Sequence, residues 1–297
     1  MFPRLQTKLT ATILLLTFGL SACSLPFGPA AATPTPALTS TPAPPTATPV
    51  PAAATVNGEI IALSEYESEL ARYKSAQAAL GKTVTEEKAA QTVFDDLVDQ
   101  ALLAQGARAA GLGVDESALQ SRVDALAASL GGADQLVAWE SAHGYDDASF
   151  RVALKRSIEA ASMRDKIIAD VPRTMEQVHA RQILLYNAND AQNVLSQLKA
   201  GMRTFDEMAA LESETRGELG WFPQGYLLEP AIETAAFALQ PGQFSDVVQT
   251  QVGFHIIYVV AREQHQLSPD ALLAMQENAL RAWLEQKRTE AAIVISP

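Results

Sequence analysis

The chain has 297 residues, a formal charge of −12, nearly half apolar composition and a single cysteine. That balance excludes the basic footprint of a nucleic-acid binder and a basic patch for anionic lipid. One cysteine excludes a disulfide framework, and no His, Cys and carboxylate cluster has metal-ligand spacing.

Arg4 and Lys8 precede an apolar run, Leu9 to Leu20, too short to span a bilayer as a mature helix. The pattern is a secretion signal over 1–22. It ends in L-S-A-C (Leu20 to Cys23), which resembles the bacterial lipobox. That resemblance implies cleavage before Cys23 and lipid on its thiol; the plain alternative is an ordinary signal holding a cysteine. Residues 23–54 are expected to carry the lipidated cysteine and a linker. Ser24 to Ala54 is rich in Pro, Thr and Ala and has no charge, so it buries too little apolar surface to offset its ordering entropy. In polyproline II, at ~3.1 Å per residue, it would reach roughly 90 Å.

Residues 55–171 read as a mostly helical segment. T-V-N-G-E-I-I (Thr55 to Ile61) is a strand broken by an Asn-Gly turn. A helix is expected from Ser64, opened by the capping box S-E-Y-E to Glu67 and stopped at Gly81. Glu86 to Ala110 carries one apolar stripe: Val93, Phe94, Leu97, Val98, Ala101 and Leu102. Asp115 caps the next helix, which ends at Gly131-Gly132. A short helix holds Leu136 and Trp139, and a long one runs from near Asp147 to Pro172.

Residues 174–264 change character. V-H-A-R-Q-I-L-L (Val178 to Leu185) and G-F-H-I-I-Y-V-V (Gly253 to Val260) are buried-strand patterns. Between them, T-F-D-E (Thr204 to Glu207) is a capping box, and Leu195, Leu198 and Met202 fall at helical spacing. The order is strand, helix, helix, strand, helix, strand, strand.

G-E-L-G-W-F (Gly217 to Phe222), A-F-A-L-Q-P-G (Ala236 to Gly242) and G-F-H-I-I (Gly253 to Ile257) occur in the order of the parvulin-type (PpiC, rotamase) peptidyl-prolyl isomerases, which this segment resembles. V-N-G-E-I-I followed by helices, with D-Q-A-L-L-A-Q (Asp99 to Gln105), resembles the amino-terminal chaperone domain of the SurA and PrsA group. The two resemblances imply an α+β chain: a helical chaperone domain with an antiparallel-sheet parvulin-like domain inserted in it. Residues 265–297 would then hold a helix, capped by Ser268 with Pro269 in its first turn, that returns to the helical domain. Ile293 to Ile295 would pair with Thr55 to Ile61. The alternative is a free amphipathic tail.

By the same resemblance, Leu219, Leu228 and Ile232 line a proline pocket, with Leu227 an alternative to Leu228 because the intervening chain is about one residue longer. The bland reading of all three is core packing. His255 matches one of the family's two central histidines. Gln182 stands at the other, where its amide could donate to the imidazole but could not titrate. Val252 replaces a small hydroxyl residue. The loop that bears the family's Cys or Asp is short here, with Glu212 and Glu214 as candidates. His255 reads equally as catalytic or as structural.

Isomerisation needs no cofactor and no metal. The expected function is a membrane-anchored extracytoplasmic foldase, both isomerase and chaperone. Its partners would be unfolded or partly folded secreted polypeptides with X-Pro segments, and the membrane through lipid on Cys23, with no nucleic acid. Two alternatives stand: a non-catalytic chaperone with a degenerate parvulin domain, and a scaffolding lipoprotein with one dedicated partner.

Overall fold

The computed structural model describes residues 50–212 and 217–296. The signal segment, Cys23, the linker before Val50, Glu214 and the side chain of Glu212 lie outside the described residues.

A three-stranded antiparallel sheet joins the two ends of the described chain. Strands β1 (Ala52–Val56) and β2 (Glu59–Ala62) form a hairpin, and β7 (Ile293–Ile295) pairs with the free side of β1, in the order β2-β1-β7. Asn57 (φ 53°) and Gly58 (φ 84°) are both left-handed, as a two-residue hairpin turn of matching twist requires. Thr55 lies opposite Val294 and Val56 opposite Ile293, so the expected pairing forms. The Asn57 amide donates to the Ala292 carbonyl, and the Ala292 amide donates to Asn57 Oδ1, each at 2.9 Å.

Helix α1 (Leu63–Ala79) runs directly out of β2. The expected Ser64 capping box does not form: Ala62 is the N-cap, without a side-chain bond, and the Leu63 amide donates to the Pro51 carbonyl of the hairpin. A sheet partner has taken over what a cap supplies. The later starts follow the sequence. Thr85 caps α2 (Glu86–Ala109), Asp115 caps α3 (Glu116–Leu130), and α4 (Ala133–Ala142) precedes α5 (Asp147–Ala169). Asp146 and Ser149 cap α5 reciprocally.

The α2 stripe Val93, Leu97, Val98, Ala101 and Leu102 is buried against Ala54, Val56 and Ile61 of the small sheet. Its next turns, Leu103 and Ala107, meet Ala160, Met163 and Ile167 of α5. The last helix, α9 (Pro269–Glu290), closes this core with Ala279, Leu280, Trp283 and Leu284. Arg288 of α9 donates to Asp95 (2.9 Å) and Asp99 (2.6 Å) of α2. The helical body is therefore built from both ends of the described chain, and the free-tail alternative is wrong.

Between them lies a second sheet, formed by β3 (Thr174–Leu185), β4 (Glu218–Pro223), β5 (Val248–Gln249) and β6 (Phe254–Gln266) in the antiparallel order β4-β3-β6-β5. Helices α6 (Ala188–Lys199) and α7 (Phe205–Glu212) cover one face, and α8 (Pro230–Ala238) covers the other. Glu207 and Thr204 form the expected capping box, at 2.8 and 3.2 Å. Met202 falls beyond the end of α6 and is exposed, so it does not extend that stripe.

Gly106, near the end of α2, lies under the Trp283 ring of α9. A Cβ there would stand 2.6 Å from Trp283 Cζ2 and 2.8 Å from Cη2. Gly106→Ala gains ~1 kcal/mol of helix propensity but overpacks a large ring, which costs ~1–3 kcal/mol. We expect urea unfolding to show net destabilisation by about 1 kcal/mol, and the same substitution to stabilise a Trp283→Leu background. A more stable single variant would contradict this packing.

Candidate functional site

The two faces of the second sheet differ. Along β6, Phe254, Ile256 and Tyr258 point to the α6–α7 side, while His255, Ile257 and Val259 point to the α8 side. Along β3, Val178 and Ala180 share the α8 side, and strand alternation places Gln182 with them. The register sets Leu184 opposite His255 and Gln182 opposite Ile257. Gln182 and His255 are thus diagonal neighbours on one face, within side-chain reach.

His255 is 3% exposed. Its Nδ1 lies 2.8 Å from Gln182 Oε1 and its Nε2 lies 2.9 Å from Thr250 Oγ1. An amide oxygen only accepts, so Nδ1 carries the proton and Nε2 is bare. The Thr250 hydroxyl then donates to Nε2, while its oxygen accepts the Val252 amide at 3.1 Å. With the ring neutral, its Nδ1 proton and the Thr250 hydroxyl proton each have an acceptor. Burial pushes the His255 pKa below the usual imidazole value, and the Glu229 carboxylate acts in the opposite direction.

Gln182 accepts from the imidazole, where donation was expected. The hydroxyl that meets the ring is that of Thr250, which the sequence did not single out, and Val252 is exposed. The signal was present in T-Q-V-G-F-H, but Thr250 reaches Nε2 only because the chain reverses between them, with its amide donating to the Gly253 carbonyl at 2.8 Å. The opening glycine of G-E-L-G also has a cause here. Gly217 (φ 69°) accepts the Gln182 amide at 2.8 Å, and a Cβ on it would lie 1.7 Å from the Gln182 carbonyl oxygen. No larger residue permits that approach.

The apolar wall follows. Ile232 is buried with Phe222, Ala236 and Ile257, and Leu219 and Leu227 pack against this cluster, half-buried. Leu228 is 98% exposed, so the pocket assignment at Leu228 is corrected to Leu227. The cause is Glu233, a buried residue of α8. Its carboxylate accepts the amides of Gly225 (2.6 Å), Tyr226 (3.0 Å) and Leu227 (3.1 Å). That triple bond curls the turn so that Leu227 faces inward and Leu228 outward. Nothing in the sequence singled out Glu233, because a glutamate in a helix's first turn usually reads as a solvated, dipole-favoured residue. Glu229, Pro230 and Ala231 face Gln249, Thr250 and Gln251 across a shallow groove at the mouth.

The remaining histidines lie elsewhere. His179 and His265 stack on Trp221, at 5.2 and 4.7 Å, and His143 stacks on Trp139 at 4.0 Å. Among the described residues, no three His, Cys, Asp or Glu side chains converge to hold a metal ion. The site's resources are a neutral hydrogen-bonded line and an apolar wall.

Comparison with known proteins places the two parts separately. Residues 175–261 match the Rotamase model, a PPIC-type PPIase domain, and residues 41–133 match a SurA-like N-terminal domain. The chain is 35% identical over 155 residues to the chaperone SurA of Thiobacillus denitrificans, covering 45% of this chain and 35% of the relative. It is 32% identical over 146 residues to foldase protein PrsA 2 of Bacillus anthracis, covering 47% and 48%. The chain thus spans a third to a half of the length of these relatives. The solved structure of PrsA from Bacillus anthracis aligns over 66% of this chain and 96% of that one, at 23% identity and a TM-score of 0.38.

The depressed His255 pKa has a defined sign. An unfolded histidine titrates near 6.5. The folded state is therefore favoured by this group above pH ~6.5, and loses that contribution as pH falls through the lower folded value. NMR titration of the imidazole should give a midpoint below 6.5. Glu229→Gln should lower it further, since a neighbouring negative charge is removed. A midpoint above 6.5 would contradict the neutral line.

Proposed function

We propose that this chain, which carries a PPIC-type peptidyl-prolyl isomerase domain and a SurA-like N-terminal domain, is an extracytoplasmic foldase. It would isomerise X-Pro bonds in secreted or envelope polypeptides and hold those polypeptides while unfolded. The units would be a signal (1–22), a lipidated Cys23 with linker (23–54), a helical chaperone domain (55–171), an isomerase domain (174–264) and the returning helix (265–297). The anchor would be lipid on Cys23.

The observation that carries the reading is one sheet face. There a buried His255, bonded to the half-buried Gln182 and Thr250, shares the face with Leu219, Leu227 and Ile232. Rotation about an X-Pro bond faces a barrier set by amide resonance, ~18–20 kcal/mol. No bond to the substrate need form. A site accelerates the rotation when it binds the twisted amide better than either planar isomer, tenfold for each ~1.4 kcal/mol. The apolar wall would receive the pyrrolidine ring and displace water, and the groove beside Glu229 and Gln249 would admit the flanking chain. Gln182, Thr250 and His255 would hold the floor rigid.

A second reading has its own support. Both His255 nitrogens and the Thr250 oxygen are already bonded within the protein. With the imidazole and the hydroxyl so engaged, the face would bind proline segments without catalysis.

NMR exchange spectroscopy on short X-Pro peptides with the full chain separates the two. We expect cis/trans exchange well above background, reduced at least about tenfold in His255→Ala. Binding without acceleration for any X would select the second reading. Suppression of aggregation for several unrelated unfolded proteins is expected as well; activity towards one dedicated partner only would point to a scaffold. For the anchor, membrane fractionation should find the chain with the membrane and Cys23→Ser released from it. A soluble wild-type chain would sink the lipid assignment.

A further inference from the structure

We propose that Asn278, on α9 of the helical body, is a positioning residue for the X-Pro site, setting Leu227 through the backbone of the Gly225–Leu227 turn. The proposal rests on reading that sheet face as an X-Pro site. It adds that the face is completed by the C-terminal helix, which lies outside the isomerase domain.

The turn is gripped from two sides. From within, Glu233 takes the three consecutive amides of Gly225, Tyr226 and Leu227. From without, Asn278 Nδ2 donates to the Gly225 carbonyl at 2.7 Å. Arg281 Nη1 donates to Asn278 Oδ1 at 3.2 Å, which keeps the amide nitrogen toward the turn. Gly225 is left-handed (φ 88°), and a Cβ there would sit 3.6 Å from Asn278 Nδ2 and 3.7 Å from Met275 Cε. Helix and turn are in van der Waals contact.

Three successive residues carry the connection inward. Gly225 meets α9 through its carbonyl. Tyr226 packs with two clusters at once: that of Phe222, Ile232 and Ile257 behind the site, and that of Leu267 with Ala271 and Met275 of α9. Leu227 forms part of the apolar wall. On the other side, Leu280, Trp283 and Leu284 of the same helix pack on α2 and α5. Trp283 lies five residues beyond Asn278, about 7.5 Å along an α-helix. A polypeptide that displaced α9 from the helical body would move the hydrogen bond to Gly225, and with it the wall.

The test uses the full chain, labelled at leucine methyls, with a short X-Pro peptide as probe. Asn278→Ala should shift the Leu227 methyl signals. It should weaken peptide binding about three- to tenfold, the range expected for one hydrogen bond. In exchange kinetics kcat should fall as well as kcat/KM, because a displaced wall favours the twisted amide less. The His255 titration midpoint should not move, and Asn278→Gln should recover much of the lost affinity. Unchanged Leu227 signals and affinity would overturn the proposal. So would shifts spread over the whole helical body with a lowered thermal midpoint, which would mark a structural role. Peptide binding without exchange in the wild-type chain would remove the isomerase reading alone, since affinity still decides for Asn278. No peptide binding at all would overturn both.

Discussion

The fold depends on the closure of the helical body by a segment more than two hundred residues away. Strand β7 completes the sheet begun by β1, and α9 covers the apolar faces of α2 and α5. Closing so long a loop in a flexible chain is entropically unfavourable, although the cost grows only as the logarithm of its length. The inserted domain reduces that cost. Strands β3 and β6 pair from Leu185–Phe254 down to Thr174–Gln266, and the Leu267 amide then donates to the Arg173 carbonyl at 2.8 Å. Once the second sheet has formed, its two ends leave side by side. The helical body sees a short connection in place of a long loop.

Charge fixes the geometry of that body. Glu159 is fully buried on α5, where it accepts Arg108 Nη1 of α2 at 2.5 Å and the Val114 amide at 3.1 Å. Arg156, also buried, donates to Glu65 of α1 at 2.8 Å. Arg108 extends the chain of charges to Glu59 of β2 at 2.5 Å. Buried ion pairs of this kind add little net stability, because desolvation consumes most of the attraction. Removing one partner would strand a buried charge, which is costly, so the network restricts how α1, α2, α5 and the small sheet can be arranged. The helix that closes the body, α9, joins through Arg288 at the middle of α2.

Much of this architecture was legible in local chemistry. The Asn57-Gly58 turn, the caps at Asp115, Thr204 and Ser268, and the order of elements in the second sheet all depend on neighbours within a few residues. The errors fall where a distant partner decides. Ser64 does not cap because the hairpin already occupies the helix start. Leu228 and Leu227 are equivalent in sequence, and only a carboxylate six residues downstream separates them. Thr250 meets His255 across a reversal of the chain. Gln182 accepts where donation was expected because its carbonyl oxygen is the end that faces the ring. The site's general position was readable, whereas the direction of its hydrogen bonds and the identity of its wall were not.

Those two features bear unequally on catalysis. Both His255 nitrogens are bonded within the protein, and a satisfied neutral hydrogen bond contributes only about 0.5–1.5 kcal/mol to the structure that holds it. It can make the floor rigid, but it offers little that differs between a planar and a twisted amide. Burying a proline ring against leucines is favourable for every rotational state alike, and uniform binding does not raise kcat. In an X-Pro isomerase built this way, selectivity for the twisted state would come from where the wall stands. That position is set at the Gly225–Leu227 turn by three amides on Glu233 and one carbonyl on Asn278. A site of this kind is governed less by the acid–base character of its histidine than by the rigidity of one turn, and part of that rigidity comes from a helix of the neighbouring body.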